Sequence, residues 1–146
     1  MQRGAVMIWG TFALAFAAAF TGASFYVNWV EQPARLALDE EALLSEWGPS
    51  DSRGVSLLAA IALVAAITGL IAYFETQDVR WAFGALIIIA SWIYAYFVMA
   101  PLDNQIRSLR GGEVAAARAL VRQWGIVESG LAAIGAAAVL MFLWAG

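Results

Sequence analysis

Four long apolar stretches constrain the fold of this chain more than any other feature of its sequence. They cover residues 4–30, 55–74, 81–100 and 125–145, and the last of them holds one acid, Glu128. A helix needs about 20 mostly apolar residues to cross the hydrocarbon core of a bilayer. Each stretch is therefore predicted to be a membrane-spanning helix, and the 146 residues are predicted to form a single transmembrane domain.

Composition and tryptophan placement support a bilayer as the environment of the chain. The chain is 63% hydrophobic and 13% charged, whereas soluble domains average roughly 45–50% apolar and about 25% charged residues. Trp9 and Trp29 flank the first span, and Trp124 and Trp144 flank the fourth. The helical distance within each pair is roughly 30 Å, which matches the hydrocarbon thickness. The first stretch is also longer than the apolar region of a cleaved signal peptide, so it is predicted to be a retained span.

The residue types that are absent from the sequence exclude several function classes. The chain has no Cys and no His, and its net charge is −3. These absences exclude thiolate chemistry, His-ligated haem or zinc, and Ser–His catalysis. An acidic chain also lacks the basic surface typical of nucleic-acid binding. We therefore predict no metal, no cofactor and no nucleic-acid partner.

The connections between the spans predict an up-down topology. Residues 75–80 form a short link, so the second and third spans should make an antiparallel hairpin. The longer connections, residues 31–54 and 101–124, then lie together on the opposite side. The first is predicted to contain a short amphipathic surface helix from about 33 to 47, stopped by Gly48-Pro49. In the second, a helix beginning at Glu113 is predicted to continue into the fourth span, which gives an all-α four-helix membrane bundle overall.

The arginine distribution predicts an orientation, while no convincing internal repeat is visible. The two long connections hold six arginines, and the opposite side holds Arg3 and Arg80. The six are Arg35, Arg53, Arg107, Arg110, Arg118 and Arg122. By the positive-inside rule the long connections are predicted to be cytoplasmic, with both termini outside, in a bacterial inner membrane.

A stripe of small and polar residues runs along the first span and ends in a polar cluster. Its members are Gly10, Leu14, Ala17, Thr21, Ser24, Asn28, Glu31 and Arg35. Such residues gather at helix contacts in lipid, so the stripe should face the bundle interior, with Phe12, Phe16, Phe20, Phe25 and Val27 on the other faces. The fourth span has a similar stripe of Gly125, Ser129, Ala133 and Ala137, beside which Glu128 should point inward.

The intramembrane acid Glu128 has three interpretations. An acid at mid-depth costs roughly 2.5–3.5 kcal/mol and usually has a partner or a task. Glu128 could form an ion pair with Arg35 or Arg53, line a ligand pocket, or reach towards the interface. The predicted pocket or polar cluster consists of Tyr26, Asn28, Glu31, Arg35, Asn104 and Glu128. Trp92, Tyr94 and Tyr96 would either line this pocket or belong to an interfacial aromatic belt.

The end of the first span carries a specific motif, G-x-x-x-Y-V-x-x-V-E-x-P-A-R. Its residues are Gly22, Tyr26, Val27, Val30, Glu31, Pro33, Ala34 and Arg35. With Pro101 and Asn104 after the third span and Trp124 before the fourth, the chain resembles the anthrone oxygenase-like family of small four-span membrane proteins. Most bacterial members of that family are uncharacterised. Its fourth span usually opens with W-x-x-x-H-x-x-R, whereas Glu128 and Leu131 stand at the His and Arg positions here.

The resemblance implies a chemistry that needs no metal or flavin. Characterised members oxidise anthrones to anthraquinones, which calls for a base that forms the anthrone enolate before oxygen reacts with it. If the family His is that base, Glu128 takes its place in this chain, or the activity has been lost. Glu128 is thus the candidate catalytic base.

Three functions follow, and the sequence leaves open whether the chain is an enzyme. The first is a non-catalytic or unassigned membrane protein, such as an accessory subunit of a larger membrane complex. The alternative is a cofactor-independent oxygenase or a binder of a lipophilic aromatic ligand, anthrone- or quinone-like, near the ends of spans one and four. The third is a transporter formed by self-association, because four spans offer no obvious pathway in a monomer.

Overall fold

Nearly all of the described chain is helical. The computed structural model describes residues 2–109 and 111–146, with the side chains of 2–7, 111, 112 and 114 left out of the description. Arg110, which contributed to the predicted orientation, therefore lies outside the described residues, as does the side chain of Arg3. Within the described ranges every regular element is a helix, which agrees with the predicted all-α class.

Four spans contain these helices. Span 1 consists of α1 (Gln2–Tyr26), a π-helical turn (Val27–Glu31) and α2 (Gln32–Leu36). Span 2 is the single helix α3 (Glu40–Thr76). Span 3 consists of α4 (Val79–Tyr94), a π-helical turn (Ala95–Met99) and α5 (Ala100–Arg107). Span 4 begins with a 3₁₀-helical segment (Gly111–Ala116) and continues as α6 (Ala117–Ala145).

The spans pack as a square, and each one contacts mainly its two neighbours. Helix α1 packs against α3 and α6, and α4 packs against the same two helices. Spans 1 and 3 therefore occupy one diagonal, and spans 2 and 4 occupy the other. All four are long and apolar enough to cross a membrane. The predicted up-down four-helix bundle is confirmed, and the 3₁₀ segment continues into span 4 as expected.

The predicted separate helix between spans 1 and 2 is wrong. Residues 33–36 complete span 1, and the chain then turns so that α3 begins at Glu40, where the Asp39 carboxylate accepts a 2.8 Å hydrogen bond from the Ala42 amide. Helix α3 continues through Pro49 instead of stopping there. Its buried face runs across the proline from Trp47 to Asp51, so tertiary packing outweighs the local Gly-Pro signal. The carbonyl that Pro49 leaves without its helical donor belongs to an exposed residue, where water can reach it.

Spans 1 and 3 share a local pattern around their prolines. Trp29-Val30-Glu31-Gln32-Pro33 matches Phe97-Val98-Met99-Ala100-Pro101, and each stretch includes part of a π-helical turn. A proline ring crowds the carbonyl one turn earlier, and the wider π turn gives it room. In both spans the aromatic residue and the valine are exposed, whereas the third residue lies towards the interior. Glu31 in span 1 and Met99 in span 3 therefore occupy equivalent positions in the two spans that lie diagonally opposite each other.

Spans 2 and 4 share a second pattern, Trp-Gly-x-x-acid. Trp47 and Asp51 hold these positions in span 2, and Trp124 and Glu128 hold them in span 4. All four residues are buried, and the two indoles meet edge to face with ring centroids 6.0 Å apart. The bundle therefore has an approximate two-fold arrangement about its long axis. The sequence shows no clear repeat because the number of residues between the two copies differs for the two patterns, the one shared by spans 1 and 3 and the one shared by spans 2 and 4.

The other end of the bundle is closed by the predicted hairpin. Helix α3 ends at Thr76, Gln77 adopts a left-handed conformation with φ of 59°, and Asp78 caps α4. Hydrogen bonds from the Arg80 side chain and backbone lower the pKa of the Asp78 carboxyl below its ordinary value. The Arg80 guanidinium also donates to the Trp144 carbonyl (2.5 Å), which fastens span 3 to the end of span 4.

The predicted inward stripe is confirmed on span 1 and partly wrong on span 4. Gly10, Ala17, Ser24 and Arg35 are buried, although Phe20, expected on an outer face, is buried as well. On span 4, Gly125 and Glu128 are buried, whereas Ser129, Ala133 and Ala137 are exposed. Steps of four residues advance about 40° beyond a full turn, so a four-residue series drifts off one face.

Candidate functional site

A cavity of about 580 Å³ lies at the end of the bundle that holds the long connections. Exposed residues of spans 1 and 2, among them Tyr26, Val55 and Leu57, surround its mouth, and span 4 supplies part of the inner wall. Tyr26 and Trp124 contribute aromatic rings to the lining, and its aliphatic part consists of Ala23, Val27, Pro49, Val55, Leu57, Leu58, Met99 and Leu131. Its charged lining consists of Glu31, Arg35, Glu46, Asp51, Arg53 and Glu128. The volume is within the usual range for small-molecule sites, about 300–1,000 Å³.

Glu128 is the deepest acid of this cavity, with 2% of its surface exposed. One carboxylate oxygen, Oε2, accepts a hydrogen bond from Asn28 Nδ2, which also donates to the Ser24 carbonyl at 3.2 Å. The other oxygen, Oε1, is buried and has no hydrogen-bond partner among the described residues. The sequence-based prediction that Glu128 points inward and meets Asn28 is confirmed.

The expected ion pair between Glu128 and Arg35 or Arg53 is absent from the described residues. Arg35 is buried, and its guanidinium binds Glu46, with further contacts to Glu31 at 3.4 Å. It also donates to the Ser50 hydroxyl (3.1 Å) and to the Gln32 amide oxygen (3.2 Å). Because α3 starts early and runs straight past Arg35, Glu46 is within its reach.

Arg53 does not take the place of Arg35 beside Glu128. Its side chain is exposed at the cavity mouth, and it forms no ion pair with any residue in the described ranges. Glu128 therefore lies in the cavity without a guanidinium from the described part of the chain bound to it.

Asp51 is a buried acid of this cavity that sequence reasoning missed. Its Oδ2 accepts a 2.5 Å hydrogen bond from Arg107, whereas its Oδ1 is buried without a hydrogen-bond partner among the described residues. The sequence places Asp51 in a surface connection, because Gly48-Pro49 predicts a helix end there. The sequence signal that could have found it is the Trp-Gly-x-x-acid pattern that it shares with Glu128.

Two arginine–tryptophan contacts lie next to the acids. Arg35 stacks over the Trp124 ring at 5.4 Å, and Arg107 stacks over the Trp47 ring at 5.0 Å. Each guanidinium comes from the end of an odd-numbered span, and each indole comes from the start of an even-numbered span. The two contacts therefore follow the approximate two-fold arrangement. The acids do not follow this symmetry. Arg107 forms an ion pair with Asp51, whereas Glu128 accepts a hydrogen bond from Asn28 and none from Arg35.

The remaining predicted site residues separate into two groups. Tyr26 and Glu31 line the cavity as expected. Asn104 does not belong to the site, because α5 continues past Pro101 and turns the Asn104 side chain to the exposed face opposite buried Leu102. Tyr94 lines neither described cavity, since its hydroxyl donates to the Val127 carbonyl at 2.6 Å and packs over Gly130.

A second cavity of about 320 Å³ lies between spans 2 and 3. Trp92 and Tyr96 line it, so these two predicted aromatic residues face a different space from Tyr26. No group of three or more acids in residues 2–109 and 111–146 is arranged to hold a metal ion. The chemistry that the described side chains offer is hydrogen bonding and charge at the end of an apolar space.

The fold and the site together define an all-α integral membrane protein with buried acids in a cavity at one end of a four-helix bundle. Comparisons with protein-family models, with curated proteins and with solved structures return no match. The resemblance to the anthrone oxygenase-like family thus depends on the sequence motif at the end of span 1, and it stays a prediction.

Proposed function

We propose that this chain is a membrane-embedded binding protein whose first cavity takes up a lipophilic molecule with a hydrogen-bond-donating headgroup. One observation carries the proposal: Glu128 Oε1 and Asp51 Oδ1 are buried at the same cavity without hydrogen-bond partners among the described residues. A buried polar atom without a partner costs about 1–3 kcal/mol. A ligand that donates to these oxygens would recover that free energy.

The lining supports a lipophilic ligand more than a hydrophilic one. Aliphatic and aromatic side chains together make up most of the wall, and the mouth opens between spans 1 and 2, where exposed residues such as Val55 and Leu57 would contact lipid. A molecule dissolved in the bilayer could enter from the side. Among aromatic ligands, a phenol or hydroquinone matches the free carboxylate oxygens better than a quinone, because quinone carbonyls are acceptors.

A catalytic form of the proposal gives Glu128 the role of base. It would remove a proton from a bound anthrone-like molecule, and the resulting enolate would then react with oxygen. Support comes from the family-like motif of span 1 and from the position of Glu128 at the family His. Binding is the more economical proposal, since it needs no group beyond those that line the cavity.

An accessory subunit is the competing proposal. The stacked rings of Phe25 and Trp29, with centroids 5.5 Å apart, favour it because both are exposed on the outer surface of span 1. Such a flat aromatic pair can pack against another membrane protein as well as against lipid. A transporter would need a second copy of the chain to complete a pathway. For all three functions we place the protein in a bacterial inner membrane with the arginine-rich connections in the cytoplasm.

Gentle extraction separates these functions. The protein would be released from its own membranes in polymer-bounded lipid discs and weighed intact by native mass spectrometry. The binding proposal expects a small-molecule mass on the monomer at up to one copy per chain. A protein partner at fixed stoichiometry, without any small molecule, would instead identify an accessory subunit.

A further inference from the structure

The second cavity is a neighbour of the first and differs from it in polarity. Val55, Leu58, Met99 and Leu131 line both cavities, so these side chains form the wall between them. The second cavity is lined mainly by apolar and aromatic side chains, and Trp92 and Tyr96 are exposed at its lipid-facing side. The two spaces together would hold a ligand considerably longer than either could hold alone.

Met99 is the part of this wall best suited to move. It is buried and ends the π-helical turn of span 3, directly before Ala100 and Pro101. An unbranched methionine side chain has three rotatable bonds and adapts to irregular spaces. A change of its rotamer can connect the cavities without moving the backbone, whereas the branched Leu58 and Leu131 have less freedom.

The charge of the lining favours a positive headgroup. The first cavity is lined by four carboxylates, Glu31, Glu46, Asp51 and Glu128, and by two guanidiniums. One of these, Arg35, is occupied by Glu46 and Glu31, and the other, Arg53, is exposed at the mouth. The second cavity adds a further acid, Asp103, whose Oδ1 is buried without a hydrogen-bond partner among the described residues. Asp51 keeps one oxygen without a partner beside its ion pair with Arg107, and Glu128 forms no ion pair with any described residue.

We infer that the ligand is a cationic amphiphile. Its ammonium-type headgroup lies beside Glu128 and Asp51 in the first cavity, and its apolar chain or ring system passes Met99 into the second. This inference rests on the proposed function, because it takes the first cavity to be a ligand site. It goes beyond that proposal by fixing the charge of the headgroup and by assigning the second cavity to the apolar part.

Ligands that share one alkyl chain but differ in their headgroup test the inferred positive charge of the headgroup. Dodecylammonium, dodecanol and dodecyl sulfate would be titrated onto the protein in phosphatidylcholine discs, with the Glu128→Gln variant in identical discs to subtract partition into lipid. We expect dodecylammonium to bind at least tenfold more tightly than dodecanol, and dodecyl sulfate not to bind. Equal binding of the ammonium and the alcohol, tighter binding of the sulfate, or no binding of the ammonium would overturn the inference. A native ligand found by gentle extraction would leave the proposed function standing in each of these cases.

Photochemical labelling tests whether the apolar chain of the ligand lies in the second cavity. Dodecylammonium with a diazirine at the far end of its chain should label the peptide that holds Trp92 and Tyr96, and unlabelled dodecylammonium should compete. The Met99→Phe variant, which fills the passage with a rigid ring, should lose this labelling, whereas Met99→Leu should keep most of it. If Met99→Phe does not fold, the labelling pattern of the wild type is by itself the test of where the apolar part lies. Labels confined to the first cavity, or spread evenly over the lipid-facing surface, would contradict the assignment.

Discussion

Asn28 in span 1 donates a hydrogen bond to the carboxylate of Glu128 in span 4, 100 residues further along the chain. This bond joins the polar end of the first span to the deepest acid of the cavity. It also holds one carboxylate oxygen, while the other has no hydrogen-bond partner among the described residues. The bond is therefore central both to the stability of the bundle and to the proposed binding site.

Replacing Asn28 by Ala should destabilise the protein. Both oxygens of the buried Glu128 carboxylate would then lack a partner, and the expected loss in the free energy of unfolding is about 1–3 kcal/mol. Asn104→Ala is the matched control, because the Asn104 side chain is exposed, and it should stay within about 0.5 kcal/mol of the wild type. Thermal unfolding in the same detergent measures both variants. Equal effects of the two substitutions would refute the role of the Asn28–Glu128 bond.

Arg35→Met should be more harmful than Arg53→Met. Arg35 is buried and binds Glu46, Glu31 and Ser50, so its removal should cost about 2 kcal/mol or more. The partly exposed Glu46 and Glu31 can regain water, which keeps the cost below that of a fully buried pair. Arg53 is exposed, and its substitution should leave the melting temperature nearly unchanged. A comparable loss for Arg53→Met would contradict this distinction.

A side chain at Gly84 should destabilise the protein, in contrast to one at Gly22. A Cβ at Gly84 would clash with Cε1 of the buried Phe142 ring, whereas nothing lies within 4 Å of a Cβ at Gly22. Gly84→Ala should therefore cost about 1–3 kcal/mol through overpacking. Gly22→Ala should be neutral or stabilising. Thermal unfolding of the two alanine variants checks the predicted order, and a reversed order would show that spans 3 and 4 pack differently.

The proposed orientation can be read from single cysteines, since the chain has none of its own. Gln77 lies in the short link between spans 2 and 3, and Gln105 lies near the end of span 3 on the opposite side; both are exposed. In intact cells, Gln77→Cys should react with a membrane-impermeant maleimide from outside. Gln105→Cys should react only after permeabilisation. The opposite labelling would place the arginine-rich connections outside.

Much of the fold could be predicted because its signals are local. The lengths of the apolar stretches predicted four spans, and the small residues from Gly10 to Ser24 predicted the inward face of span 1. The continuity of α3 could not be predicted, because Gly48-Pro49 carries a strong local stop signal. Tertiary packing of Leu43, Trp47 and Asp51 overrides that signal, and such packing cannot be inferred from a short stretch of sequence.

The positions of some candidate-site residues could be predicted for the same reason. Asn28, Glu31 and Glu128 could be placed together because helical spacing fixed their faces and span length fixed their depth. Asp51 was missed, since its depth follows from the unexpected continuation of α3. Asn104 was wrongly included because α5 extends beyond Pro101 and rotates it outward. The position of Arg35 was predicted correctly, but its ion-pair partner Glu46 was not, because the position of Glu46 depends on the continuous helix α3.

The most direct test of the proposed site compares ligand occupancy in three proteins extracted identically into native lipid discs: the wild type, Glu128→Gln and Ser129→Ala. Glutamine keeps an acceptor for Asn28 and removes the charge, whereas Ser129 is the adjacent residue on the exposed face. We predict a small-molecule mass on the wild type and on Ser129→Ala that is lost from Glu128→Gln, with the melting temperature retained in all three. Equal occupancy in Glu128→Gln, or no small molecule on the wild type, would contradict a ligand site at Glu128.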